Sequence, residues 1–160
     1  MKPWTWLRVA AVLQALGTVG HTLATASTVP THGPGEKAVF EAMRGFHFEI
    51  MGATRSTWDF YRGYQFSTTV TFVLLVVLLW LLGDLSRRAP QQARPLVLAI
   101  LGAQLATVMV SWTYFFAGPG LVGGAIALCL AIAALGLQGE SKTLPGTSRA
   151  RWTTDESRPW

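Results

Sequence analysis

Two long stretches of this chain run without an acidic, basic or histidine side chain, Phe66 to Leu82 and Leu96 to Gly139. A soluble helix of that length carries a charged face. About 18 or more apolar residues in succession read instead as a membrane crossing, because roughly 20 residues rising 1.5 Å each span the hydrocarbon. Composition agrees: only 13% of the 160 residues are charged, about half the share of a soluble domain. The chain is predicted to be an integral membrane protein built as one domain.

Four spans are expected, at about 4–26, 60–82, 95–116 and 121–137. The second stops at Gly83-Asp84, the third opens after Pro95, and "AGPG" makes the turn before the fourth. Residues 1–138 form the membrane domain. Residues 139–160 read as a disordered cytoplasmic tail, with too little apolar surface to offset the entropy of ordering. The fold class is all-α: a four-helix transmembrane bundle with an amphipathic helix in the first extracytoplasmic loop.

Orientation follows from lysine and arginine. Lys2 and Arg8 open span one, Arg87, Arg88 and Arg94 separate spans two and three, and Lys142, Arg149, Arg151 and Arg158 lie in the tail. Four crossings place all of these on one side, so both termini are expected in the cytoplasm. A second reading stays open, in which the basic start, the Leu7–Val19 run and "ATAS" form a cleavable signal peptide. The net charge of +5 fits cytoplasmic loops better than nucleic-acid binding. A single cysteine, Cys129, excludes an intramolecular disulfide and any Cys-x-x-Cys site.

Polar residues inside spans turn away from lipid. Gln14, Thr18, His21 and Thr25 fall within an arc of about 60° on span one, and Gln104, Thr107, Ser111 and Tyr114 within roughly 80° on span three. Span two adds Tyr61 and Gln65. These stripes lean toward the outer half and are expected either to bond helix to helix or to line an outward-facing pocket. Span four instead shows Gly120 and Gly124 in a G-x-x-x-G step, the pattern of close helix packing and a candidate homo-oligomer contact.

The loop before span two carries helical periodicity from about Gly35 to Met51. At "RSTWDFYRGYQF", Ser56 and Asp59 fit a capping box, Asp59 and Arg62 are spaced to pair, and Trp58, Tyr61 and Tyr64 suit an interfacial aromatic belt. Arg55 and Gln65 are left as candidates for the pocket rim.

"GHTLAT", "FEAMRGFHFEIMG" and "RSTWDFYRGYQFS" together are similar to an uncharacterised family of small four-span bacterial membrane proteins. Its marks are a His-Thr in span one and S-x-W-D-F-Y-x-G at the start of span two. The resemblance covers the chain to the end of span two and implies a bacterial inner-membrane protein without an assigned activity. The layout alone also resembles the sterol-isomerase and sigma-2-receptor superfamily, whose signature acids have no counterpart here.

Two functions follow as expectations. One is binding of a lipid or small amphipathic ligand by Gln14, Thr18, His21, Arg55, Trp58, Tyr61, Arg62, Gln65, Gln104, Ser111 and Tyr114. The other is an intramembrane isomerase in which His21 transfers a proton with help from Glu49 or Asp59. A structural or partner-packing subunit is the third class. Transport ranks lower, for want of an internal repeat. No metal is expected, since His47 and Glu49 point to different sides of a helix, and no cofactor, since two facing in-span histidines for haem are missing.

Overall fold

In the computed structural model, which describes residues 2–142, the order is α1 (Pro3–Ala26), α2 (Pro34–Gly45), β1 (His47–Ile50), β2 (Ala53–Ser56), α3 (Thr57–Arg88), α4 (Pro90–Tyr114) and α5 (Ala117–Lys142). The chain forms an all-α bundle. α1, α3, α4 and α5 are each long and apolar enough to cross a membrane, which makes this a multi-pass membrane protein. The hairpin β1–β2 and α2 sit at one end of the bundle. The start of α1 and the α3–α4 junction mark the other, here the terminal end.

Proline sets three of the helix starts. Pro3, Pro34 and Pro90 stand in the first turn of α1, α2 and α4, where a missing N–H costs nothing and φ is already helical. Pro90 also forces the residue before it out of the helical region. Ala89 accordingly takes φ −145° and ψ 70° and separates α3 from α4 by one residue. The third span thus begins five residues before Pro95, which lies inside α4. "AGPG" is not the turn before α5 either. The break falls at Phe115-Phe116, and Ala117–Gly120 form the first turn of α5, where proline is tolerated. α5 runs helical to Lys142, past the expected end at 137, and residues 143–160 lie outside the described ones.

The loop departs most from expectation. The predicted amphipathic helix reaches only Gly45, and residues 47–56 form a two-stranded antiparallel hairpin pairing His47 with Ser56 and Ile50 with Ala53. Met51 (φ 49°) and Gly52 (φ 80°) both take left-handed conformations, the requirement of a two-residue type I′ turn.

Around the bundle, α1 packs on α3 and α5, and α4 packs on α5, while α3 and α4 touch sparsely. Every neighbouring pair is antiparallel. The core gathers toward the terminal end: Leu7, Ala10 and Ala11 of α1, Leu79 and Leu82 of α3, Ala93 and Val97 of α4, and Ile126, Leu130, Ala133 and Leu137 of α5. α5 is the most enclosed span, with half of its apolar window buried against about a fifth for the others.

Small residues let it sit so close. A Cβ on Gly136 would come 2.8 Å from Pro3, and one on Gly120 would come 2.7 Å from the Trp112 indole. Gly123 lies against Val108 and Gln104, whereas a Cβ on Gly124 would meet nothing. The tight face toward α4 is therefore Gly120–Gly123 rather than Gly120–Gly124. In the single chain Gly120 is covered by Trp112 and offers no surface to a second copy.

Candidate functional site

Polar side chains gather in three places, and only one matches the expected outer mouth. It is a seam between α1 and α3 at the hairpin end. Arg62 Nη1 donates to the Thr25 carbonyl and, at 2.9 Å, to Gln65 Oε1. One turn deeper, His21 Nε2 lies 3.4 Å from the Gln65 carbonyl, and its ring meets Phe72 edge-on at 5.3 Å. The Arg62 guanidinium stands 4.7 Å from the Phe66 ring centroid. His21, Thr25, Arg62 and Gln65 are all partly buried. The local cause is helical spacing: 62, 65, 69 and 72 share the α3 face that meets α1.

Asp59 does not pair with Arg62. Its Oδ2 accepts from the Ser56 amide at 2.8 Å and hydroxyl at 2.9 Å, and Ser56 Oγ accepts from the Asp59 amide, closing the predicted capping box. The cap occupies that carboxylate oxygen, and Arg62 turns to α1 instead. His21, Glu49 and Asp59 do not converge. His21 lies level with Gln65, about 9 Å along the helix axis from Asp59 at 1.5 Å per residue. Glu49 is exposed on β1 opposite Thr54, with no hydrogen bond among the described residues.

The predicted stripes also part company. Gln104 is buried but turns to α5, where Nε2 donates to the Gly123 carbonyl at 3.3 Å. Thr18 and Thr25 bond the carbonyls of Gln14 and His21 one turn back in their own helix. Gln14 and Ser111 are buried without side-chain hydrogen bonds among the described residues. Tyr114 is 78% exposed at the end of α4, apart from the seam.

The second place is an aromatic stack over the hairpin. Trp58 contacts Phe40 of α2 at 5.0 Å and Tyr61 at 5.5 Å, and the Arg44 guanidinium sits 4.2 Å from the Trp58 ring centroid. This stack ties α2 to α3. Beside it, Glu36 accepts from the backbone N–H groups of Thr31 and His32. The bond from the His32 amide, foremost, holds the Glu36 carboxyl below the usual glutamate range.

The third place, at the terminal end, is absent from the predicted set. Arg8 of α1 bonds Asp84 of α3 at 2.7 Å and lies 3.5 Å over the Trp80 ring. Gly83 makes room, since a Cβ there would touch Arg8 Nε at 3.0 Å. A signal existed in the sequence: one cation near the start of span one and one anion at the end of span two share a depth in an antiparallel pair.

Comparison with protein families, with curated proteins and with solved structures finds no match to this chain.

Proposed function

We propose that this membrane protein binds a lipid or another small amphipathic ligand at its hairpin end, with the ligand's head group at the α1–α3 seam. The observation that carries the reading is Arg62. Two acceptors, the Thr25 carbonyl and Gln65 Oε1, hold Nη1 in place, while Nη2 and Nε have no acceptor among the described residues. Gln65 Nε2 is likewise a donor without a partner there, and with His21 Nε2 donating to the Gln65 carbonyl the Nδ1 lone pair is a free acceptor. Polar groups that are positioned but unspent, beside Phe66 and Phe72, suit a ligand with a polar head and an apolar body. No observation favours the isomerase, because its proton acceptor and carboxylates are apart.

The basic residues at the terminal end support a placement of both termini in the cytoplasm, and the resemblance carried by the sequence motifs supports a bacterial inner membrane.

Native mass spectrometry of the protein in a mild detergent tests the proposal. A bound amphiphile is expected, with occupancy falling about tenfold or more in Arg62→Ala, the cost of one charge-assisted hydrogen bond of about 1.5–3 kcal/mol. A bare chain mass, or undiminished retention in Arg62→Ala, overturns it.

A further inference from the structure

The face of α3 opposite the seam carries a second feature. Arg55 of β2 and Asp59, Phe60, Gly63, Tyr64 and Ser67 of α3 line an open recess of about 340 Å³. By 100° per residue these α3 positions centre on the side of the helix away from Arg62 and Gln65. Two opposite charges share the recess without forming an ion pair: Arg55 Nη1 donates to the Thr54 carbonyl at 2.8 Å, and Asp59 Oδ2 is held by Ser56. Arg55 Nη2 and Asp59 Oδ1 have no partner among the described residues. Gly63 leaves the floor open, since a Cβ there would meet nothing within 4 Å. Phe60 and Tyr64, one turn apart on the same flank of the helix, line the recess and are exposed at 39% and 70%. Ser67 lies one turn deeper than Gly63, its hydroxyl unspent among the described residues, and below it α3 is apolar and exposed at Val70 and Leu74.

We infer that this recess is a binding site for one phospholipid with a zwitterionic, primary-ammonium head group. Arg55 takes the phosphate, Asp59 Oδ1 accepts from the ammonium, and Ser67 donates to the glycerol ester region. The acyl chains lie along Val70 and Leu74. Charge complementarity selects this occupant. An anionic lipid offers nothing to Asp59, and a quaternary ammonium has no N–H to donate to it. Aromatic side chains at head-group level and the start of a spanning helix put the recess where such head groups reside. The site is independent of the seam ligand, and each stands or falls alone.

The test is retention of lipid by the purified full chain, supplied with an equimolar mixture of phosphatidylethanolamine, phosphatidylcholine and phosphatidylglycerol and read by native mass spectrometry. Phosphatidylethanolamine is expected to be retained about fivefold over each of the others. That preference is expected to vanish in Arg55→Ala and in Gly63→Leu, which fills the recess, and to persist in Arg62→Ala, which acts on the seam. Equal retention of the three lipids, a preference for phosphatidylglycerol, or a preference surviving Arg55→Ala overturns the assignment. Arg55 is exposed on a strand, so its variant decides the matter even if Gly63→Leu fails to fold.

Discussion

Ser56 and Asp59 show how much one pair of side chains decides. Their reciprocal bonds satisfy backbone donors at the start of α3, while Arg62 reaches across to the Thr25 carbonyl of α1. The cap was legible in the sequence because S-x-x-D is a local pattern within one turn. The partner of Arg62 was not, because Thr25 is 37 residues away and accepts through its backbone, which residue identity does not mark. Ser56→Ala is expected to cost about 1 kcal/mol, the usual value of an N-cap, in reversible unfolding of the detergent-solubilised protein. Ser56→Ala combined with Asp59→Ala should cost clearly less than the sum of the two single changes, since both remove the same reciprocal pair. Strict additivity would show that the box is not a coupled unit.

At the scale of elements, the four spans were readable because apolar length is a local property, but their packing faces were not. The G-x-x-x-G step points to Gly120 and Gly124, yet the close approach is made at Gly120 and Gly123, where Trp112 and Gln104 of α4 arrive. Which neighbour supplies the bulky side chain depends on how the two helices are rotated, and spacing in one helix does not encode that. Gly120→Ala is expected to destabilise the bundle by about 1–3 kcal/mol through overpacking against the indole. Gly124→Ala, with open space around it, is expected to be neutral or slightly stabilising, because alanine is the better helix former. Thermal unfolding of the two variants checks the contrast, and equal effects would rule out Gly120–Trp112 as the tight contact. The hairpin was missed for a related reason. Helical periodicity in the loop is genuine through Gly45, but Met51-Gly52 adopts left-handed backbone, which the surrounding apolar residues mask.

For the whole molecule, the division of polar groups between two ends explains why one pocket was expected and separate places are found. The helices are antiparallel neighbours, so a stripe on each can face a different partner: His21 meets α3, while Gln104 meets α5. The terminal end is closed by the aliphatic core and the Arg8–Asp84 pair, and the hairpin end keeps unspent donors. α1 supplies Leu7, Ala10 and Ala11 to that core, so the bundle is expected to keep its first span in the membrane. The intact mass of the membrane-extracted chain checks this, and a mass corresponding to removal of α1 would refute it. Sidedness is open to a direct check, because Met51 at the hairpin tip is fully exposed and Cys129, the sole native cysteine, is buried. Met51→Cys should react with a membrane-impermeant maleimide added to intact cells. Reaction only after lysis would reverse the proposed orientation.

Apolar length by itself determined that this chain belongs in a membrane and has four segments long enough to cross it, because the cost of placing polar groups in hydrocarbon acts on each segment separately. The capping box at Ser56 was fixed the same way, by groups a single turn apart. Tertiary structure decided that Arg62 serves α1 rather than Asp59, that Arg8 finds Asp84, and that His21 meets α3 while Gln104 meets α5. Those outcomes depend on helix rotation and depth, which are set by how side-chain volumes fit across the bundle, and no single helix carries that information.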